Sequence, residues 1–201
     1  MNDKNRPQNN VGFSIGFIPG QADIRKFAVP SGEECIIRTA SPDDAGFIAK
    51  GINAGIDDVG NVLSLRTLVL RDGSLYNYRN ALIAEIDETP IGCIVSYDGA
   101  LYRQMYDKTF PDQDFVEQTN RKEYHIDTLY VEPKFRKQGI SQELIATAID
   151  EARKKGIAKE VTCVVLPDKP RLTAFYERHG FENRGIRPLA GTNYTLLALN
   201  K

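Results

Sequence analysis

The order of motifs between residues 123 and 166 restricts the fold of this chain more than any other feature. EYHIDTLYVEP has the alternating character of a strand, and the basic sequence KFRKQGIS joins it to SQELIATAIDEARKKG, whose apolar residues fall on one helical stripe. VTCVVL follows, a continuous apolar run typical of a strand buried on both faces. Strand, helix and buried strand in this order predict a right-handed crossover with the two strands parallel.

Shorter elements are predicted before this unit. ECIIRTA predicts a strand, and Ser41-Pro42-Asp43-Asp44 predicts a helix start with a serine cap, a proline in the first turn and acids near the positive end of the helix dipole. Two apolar runs around Asp87-Glu88-Thr89-Pro90 predict a hairpin with strands near 81–87 and 91–97. The segment 99–123 is rich in acids and aromatic residues, and we expect a long functional loop there.

The rest of the chain predicts one compact unit with a preceding segment. After VTCVVL, a helix is expected from Asp168 or Lys169 to Gly180, and FENRGI and NYTLLALN predict two closing strands. Residues 1–31 are predicted to be an N-terminal extension, and residues 32–201 to form a single domain.

Charge, hydropathy and cysteine usage argue against several classes of function. The 201 residues include 26 basic and 27 acidic side chains, so the net charge of −1 gives no global attraction to nucleic acid or anionic lipid. No apolar run approaches the roughly 18 residues of a membrane span and no signal-peptide pattern is present, so we expect a cytoplasmic protein. The three cysteines lack CxxC spacing and the two histidines are far apart in sequence, so we expect buried thiols and no metal site.

The turn between the strand and the helix of the crossover predicts a polyphosphate site. Residues 136–141, RKQGIS, place a glycine where the backbone must approach a ligand, at the positive end of a helix dipole. Arg136 and Lys137 add positive charge, although basic residues at such a turn can equally form a solvated surface. The turn has neither the GK[ST] of a Walker A motif nor GxGxxG, which argues against P-loop and Rossmann folds.

From residue 35 to 200 the chain resembles the GNAT family of acyl-CoA N-acyltransferases. The resemblance rests on LYVEPKFRKQGIS, ELIATAIDEARKKG, VTCVVL and AFYERHGF, which follow one another at the family's spacing and include its [QR]-x-x-G-x-[GA] loop. Ser141 stands where the family usually has Gly or Ala, and Lys169 or Asp168 stands where many members have Asn.

This resemblance implies an α/β (α+β) fold with a mixed, mostly antiparallel sheet of six or seven strands, flanked by about four helices. It also implies that the sheet splays between the family's fourth and fifth strands and that acetyl-CoA is the co-substrate, with pantetheine in the gap. The residues expected to bind acetyl-CoA are Leu129, Tyr130, Val131, Arg136, Lys137, Gln138, Gly139, Ile140, Ser141, Lys169 and Phe175.

Transfer of an acyl group from a thioester to an amine needs a proton acceptor for the amine and a proton donor for the thiolate. The resemblance assigns the donor role to Tyr176, although a tyrosine beside Phe175 can also be a core residue. His125 and Asp127 lie two apart on a strand, so their side chains share a face, and either could take the amine proton directly or through water. Alternatively, Asp127 forms an ion pair and His125 is a structural surface histidine.

The sequence therefore predicts an acetyl-CoA-dependent N-acetyltransferase acting on a primary amine of a small molecule or peptide. A module that binds or senses acyl-CoA without transfer is the alternative. No nucleic-acid or membrane partner is expected, and a homodimer is left open. Acids outnumber basic residues in segment 99–123, which favours a cationic amine if this segment contacts the acceptor.

Overall fold

The computed structural model describes residues 25–55, 62–157 and 160–200. In these ranges the chain forms one mixed sheet of eight strands in the order β1-β2-β3-β4-β5-β6-β8-β7. The strands are β1 (Arg25–Ala28), β2 (Glu34–Thr39), β3 (Ala81–Ile86), β4 (Thr89–Asp98), β5 (Glu123–Val131), β6 (Glu160–Val165), β7 (Glu182–Leu189) and β8 (Thr192–Asn200). The helices are α1 (Ala45–Gly55), α2 (Val62–Leu70), α3 (Tyr102–Thr109), α4 (Ile140–Lys155) and α5 (Pro170–Glu177).

The first five strands form an antiparallel meander, and its hairpin at residues 87–88 follows the sequence prediction. Asp87 and Glu88 both adopt positive φ, 47° and 59°, which a two-residue hairpin requires if its twist is to match that of the flanking strands. At the predicted helix start ahead of α1, the Ser41 backbone N–H donates to Asp44 Oδ2 at 2.7 Å. Arg38 also donates to the Asp44 carboxylate at 2.8 and 2.9 Å, which ties α1 to β2.

The predicted crossover forms the centre of the sheet. β5 and β6 are parallel, and α4 joins them with a buried stripe that includes Leu144, Ile145, Ala148 and Ala152. Gly156 ends α4 in the left-handed conformation at φ 62°, as its position after the basic last turn predicts. α4 lies on one face of the sheet with a core that continues into α5, and α1 and α2 pack on the other face.

β5 and β6 remain paired over only part of their length. Glu123 to Ile126 pair with Glu160 to Cys163, but β5 continues to Val131 beside β4 while β6 continues to Val165 beside β8. The two strands therefore diverge after Ile126 and Cys163, which confirms the predicted splay of the sheet. A register shift against β4 leaves Asp127 as an extra residue on β5 at the point of divergence.

Three elements differ from the sequence prediction, so the described ranges hold eight strands and five α-helices instead of six or seven strands and about four helices. β1 lies within the stretch assigned to an N-terminal extension and pairs with β2 at the edge of the sheet. α3 forms inside segment 99–123, which the sequence assigned to a loop. α2 was not predicted, and residues 1–24 of the expected extension lie outside the described residues.

Cys35, Cys93 and Cys163 are buried free thiols, as predicted. Among the helices in the described part of the chain, none is long and apolar enough to cross a bilayer.

Candidate active site

A cleft opens where β5 and β6 diverge. It consists of two adjoining cavities of about 470 and 250 Å³ that share Gly55, Leu129 and Leu172 in their walls. Asp127 and Tyr176 line the larger cavity with Cys163 and Lys169. Tyr130, Val131, Arg136, Ser141 and Phe175 line the smaller one, which extends along β5 toward the basic turn. The divergence of the strands thus brings together residues from both ends of the predicted site.

The basic turn has the backbone geometry expected for an anion site. Lys137 and Gly139 have positive φ, 63° and 85°, and Gly139 is the N-terminal cap of α4, so backbone N–H groups converge at the positive end of that helix. Arg136 Nε donates to the Val131 carbonyl oxygen at 3.0 Å, and Gln138 Nε2 donates to the Lys134 carbonyl oxygen at 3.3 Å.

Two further side chains of the turn differ in what they can offer a ligand. Ile140 is 1% exposed and belongs to the core, so only its backbone can face the turn. The Gln138 Oε1 atom is buried and has no hydrogen-bond partner among the residues that the structure describes, so it could accept a hydrogen bond from a ligand.

Tyr176 on α5 borders the cleft with its ring held in the core. The residue is 5% exposed, and the ring packs edge-on against Phe175 and Phe181 at 5.4 and 5.2 Å between centroids. Burial raises the pKa of the Tyr176 hydroxyl well above its usual value, and the neighbouring Cys163 thiol, to which the hydroxyl is hydrogen-bonded, adds to this effect. The hydroxyl therefore keeps its proton at neutral pH.

Asp127 presents the carboxylate of the cleft and accepts hydrogen bonds from neutral donors. Tyr97 Oη and Gln118 Nε2 donate to Oδ1 at 3.2 and 3.1 Å, and Thr128 Oγ1 donates to Oδ2 at 3.0 Å. Burial raises the pKa of Asp127 above its usual value, although these three hydrogen bonds lower it in part. A carboxylate held in one orientation with a raised pKa is suited to accept a proton.

His125 lies on the same face of β5, as the spacing predicts, but it is 0% exposed and both ring nitrogens are engaged. Nδ1 is 3.0 Å from Thr162 Oγ1, and Nε2 is 3.1 Å from Gln118 Nε2. Burial lowers the pKa of His125 to about 3, so the imidazole is neutral at physiological pH. The structure thus places Asp127 at the cleft wall and His125 behind it, with Gln118 touching both.

A buried ion pair holds the segment that supplies Gln118. Arg187 on β7 donates to both oxygens of Glu123 at 2.7 and 2.8 Å and to the Gln118 carbonyl oxygen at 2.7 Å. Burial by itself raises the pKa of Glu123, but hydrogen bonds from Arg187 and Thr119 outweigh it and hold the pKa below its usual value. Glu123 is therefore an ionised carboxylate that is 2% exposed.

Segment 99–123 contributes to the cleft through an amide rather than through its acids. Gln118 is the residue of this segment that lines the larger cavity, among the residues the structure describes. Glu123 is bound by Arg187, and Asp107 pairs with Arg103 along α3. Gln118 was missed because an amide in an irregular stretch has no periodicity or spacing that marks it.

The contacts of two further residues, His179 and Cys163, favour structural roles. The His179 ring lies tilted against Phe175 at 4.4 Å between centroids, and its Nδ1 is 2.6 Å from the Phe175 carbonyl oxygen near the end of α5. Burial raises the pKa of the Cys163 thiol, which disfavours its nucleophilic thiolate form. Within the described ranges, no group of three or more His, Cys, Asp or Glu side chains could hold a metal ion.

Comparison with known proteins identifies the family of this chain. A model of the Acetyltransferase (GNAT) family matches residues 63–181, more than half of the chain. No curated protein sequence matches the chain.

Solved structures share its fold. An N-acetyltransferase from Staphylococcus aureus Mu50 is similar at a TM-score of 0.69 and 19% identity, over 81% of this chain and 99% of that chain. Ard1 from Thermoplasma volcanium is similar at a TM-score of 0.58 and 16% identity, over 83% and 97%. A structure of the NatC complex bound to Gag peptide and CoA is similar at a TM-score of 0.57 and 18% identity, over 83% and 98%. The structural likeness and the family match agree, and the chain belongs to the GNAT acetyltransferase family.

Proposed function

We propose that this protein transfers the acetyl group of acetyl-CoA directly to a primary amine in the cleft between β5 and β6. The observation that supports this most strongly is that a carboxylate, Asp127, and a protonated phenol, Tyr176, line one cavity beside the unpaired part of β5. An acyl transfer needs a base for the amine and an acid for the thiolate, and this cavity contains one of each.

The smaller cavity is proposed to hold the pantetheine arm and lead to the phosphates. Leu129, Tyr130 and Val131 line it on the side where β5 has lost its partner strand, so their edge of the sheet is open to a ligand. The backbone of residues 136–141 would receive the pyrophosphate at the start of α4, with Lys137 nearby and Arg136, Ser141 and Phe175 at the wall. Lys169 lies at the other end, in the larger cavity.

Asp127 is proposed as the base and Tyr176 as the acid. The ammonium form of the amine gives one proton to Asp127, directly or through one water, and the free amine nitrogen then attacks the thioester carbonyl carbon. The nitrogen loses its second proton to water as the tetrahedral intermediate collapses with cleavage of the C–S bond, and the thiolate takes the proton of the Tyr176 hydroxyl. The products are an N-acetyl amide and free CoA; Asp127 releases its proton to solvent, and the tyrosine is reprotonated from solvent.

The acceptor is proposed to be a primary amine of a small molecule or a peptide. A GNAT-fold structure of the NatC complex is bound to a peptide and CoA, which supports a peptide amine as one acceptor class. The cytoplasmic location, the single domain and the homodimer stay proposals, and β1 is included in that domain because it pairs with β2.

The test is thiol release from acetyl-CoA in the presence of a panel of amines that includes polyamines, amino acids and peptides with free N-termini. We expect at least one amine to release CoA in equal amount to its N-acetyl product, identified by mass spectrometry. Micromolar to sub-millimolar acetyl-CoA binding by calorimetry with no product from any amine would instead favour a module that binds acyl-CoA without transfer.

A further inference from the structure

A continuous chain of hydrogen bonds joins the two carboxylates of β5 behind the cleft. Thr162 Oγ1 is 3.2 Å from Glu123 Oε2 and 3.0 Å from His125 Nδ1. Gln118 Nε2 is 3.1 Å from His125 Nε2 and 3.1 Å from Asp127 Oδ1. At one end of these hydrogen bonds Glu123 is buried in an ion pair with Arg187, and at the other end Asp127 lines the cavity.

The direction of each hydrogen bond in this chain follows from its two ends. Glu123 is ionised and accepts, so the single hydrogen of the Thr162 hydroxyl points to it and the Thr162 oxygen must accept from His125. His125 therefore carries its hydrogen on Nδ1, and its Nε2 is an acceptor. Asp127 Oδ1 also accepts, as its bond from the Tyr97 hydroxyl shows.

Between two acceptors only a group with two hydrogens can donate both ways. The Gln118 NH₂ group is such a donor, and it lies at hydrogen-bond distance from both His125 Nε2 and Asp127 Oδ1. The backbone of Gln118 is held by Arg187, which binds Glu123 at the other end of the chain. The orientation of the Gln118 amide is thus determined by the tautomer of a neutral histidine that does not line the cavity.

We propose that Gln118 and His125 are positioning residues that keep Asp127 oriented and able to ionise, with the His125 tautomer determining which atom of the Gln118 amide faces the carboxylate. This inference rests on the proposed role of Asp127 as the base. If His125 carried its hydrogen on Nε2, Gln118 would have to turn its oxygen toward the ring. That oxygen would then oppose Asp127 Oδ1, remove one donor from the carboxylate and disfavour its charged form.

Thr162→Val tests the tautomer. Valine has the shape of threonine but no hydroxyl, so His125 Nδ1–H would be left buried without an acceptor, and we expect the imidazole to move its hydrogen to Nε2. Nitrogen-15 NMR of the His125 ring should show the two nitrogens exchanging their pyrrole-like and pyridine-like chemical shifts. The protein sequence contains two histidines, so the signals can be assigned. Thr162→Ser keeps the hydroxyl and should retain the wild-type tautomer.

The effect on Asp127 is read from its carboxyl carbon-13 shift as a function of pH. In Thr162→Val we expect the pKa of Asp127 to rise above its wild-type value. The fall of kcat/KM at low pH should then begin at a higher pH, with about a tenfold lower kcat/KM than wild type on the acidic side of the profile. Thr162→Ser should show neither change. The groups that face Asp127 are Tyr97 on β4, Gln118 and Thr128, with Tyr76, Tyr176, Tyr194 and Lys169 in the same cavity wall.

Gln118→Met tests the effect on the Asp127 pKa independently, in case Thr162→Val does not fold. Methionine keeps the length of glutamine and leaves the Arg187 contact to the backbone oxygen, but removes the donor to Asp127. We expect the Asp127 pKa to rise here too, and Thr162→Val added to Gln118→Met to change it no further, because the two substitutions break one chain in series.

The proposal is overturned if folded Thr162→Val keeps the wild-type tautomer and Asp127 pKa, or if folded Gln118→Met leaves that pKa unchanged. It is also overturned if the two substitutions have additive effects. The NMR readings need no turnover, so a protein that acetylates no amine but shows these shifts would refute the proposed function while leaving the hydrogen-bond chain established.

Discussion

The two halves of β5 contain similar polar residues in opposite circumstances. In the first half, Glu123 and His125 lie where β5 pairs with β6, and each is buried with its polar atoms bound to protein partners. In the second half the partner strand has moved away, and Asp127 lines a cavity with Leu129. Only one residue, Ile126, separates His125 from Asp127, yet His125 is enclosed by protein and Asp127 lines a cavity.

Strand pairing, more than residue type, thus separates the residues of β5 that are enclosed by protein from those that line the cavity. A buried polar group must be satisfied by protein partners, so the paired half becomes a rigid network. Where pairing ends, β5 has an edge without a partner strand, and Asp127 lines the cavity there while accepting three hydrogen bonds from protein donors. The first half of β5 can therefore fix the position of the residues that line the cavity.

The largest expected effect is a loss of folding stability on substitution in the ion pair that holds the first half of β5. Arg187→Ala leaves the Glu123 carboxylate buried without its counter-charge, and we expect a loss of about 3 kcal/mol in the free energy of unfolding. Urea denaturation measures it. Arg184→Ala, on the same strand, removes solvent-accessible ion pairs with Glu182 and Glu160 and should cost less than about 1 kcal/mol. Equal losses in both variants would show that the buried pair has no special role.

The same pair predicts a pH dependence. The folded-state pKa of Glu123 lies below its unfolded value of about 4.3, so its contribution is fully present above that pH and is lost as pH falls through the folded pKa. Neutral His125 acts in the same direction, because its pKa of about 3 lies below the unfolded value of about 6.5. Stability should therefore fall on acidification from about pH 6.5 to 3, and a flat profile would contradict both assignments.

Tyr176→Phe tests the proposed role of Tyr176 as the acid in the cleft. The phenylalanine ring preserves packing on Phe175 and Phe181 and removes only the hydroxyl. We expect kcat to fall roughly 10²-fold, within the range of general acid catalysis, with nearly unchanged acetyl-CoA affinity. A variant with wild-type kcat and a lowered melting temperature would identify Tyr176 as a core residue only.

A smaller effect is expected at the basic turn. Gly139 has φ 85°, which disfavours any L side chain, and a glutamate there would also repel a phosphate. Gly139→Glu should weaken acetyl-CoA binding by about tenfold or more in calorimetry. Gly185 has a similar φ of 97° in the distant β7, so Gly185→Glu tests the strain alone and should leave the affinity unchanged. Equal weakening in both would point to a general loss of stability.

The smallest effect is expected from the acids of segment 99–123. Asp112 and Asp114 are exposed, and Gln118 is the cleft-lining residue of this segment among the described ones. The double change Asp112→Asn, Asp114→Asn should alter the amine KM by less than about twofold, because exposed charges outside the cavity are screened by salt. A large rise in KM would restore the acidic segment as the acceptor site.

The sequence predicts the parts of this fold that have long periodic patterns. The alternation in β5 and the stripe in α4 predict the crossover, and the basic turn between them predicts an anion site. β1 has only four residues, and α2 and α3 are short. For α3 a signal was present, since Tyr102, Met105, Tyr106 and Thr109 recur at helical spacing and are buried. It was hidden by the aromatic and acidic composition of the segment.

The network around Asp127 could not be predicted from sequence. Gln118, Thr162 and Arg187 come from three separate elements and meet only after the sheet has formed. The spacing of His125 and Asp127 predicts that their side chains lie on one face of β5. This prediction is confirmed, because both side chains contact Gln118. Which of them faces the cavity depends on where β6 leaves β5, and that is a property of the tertiary structure.

The proposal that Asp127 is the base is tested by single-turnover acetyl transfer in Asp127→Asn at saturating acetyl-CoA, with an amine that has been identified as an acceptor. Asparagine keeps the shape of the side chain but cannot take the amine proton. We expect acetyl-CoA binding to be retained and the transfer rate at pH 7 to fall about 10²-fold. The lost rate should recover by up to tenfold per pH unit toward the pKa of the amine, because the free amine then arrives already deprotonated. Transfer at the wild-type rate would contradict the claim that Asp127 is the base of this site.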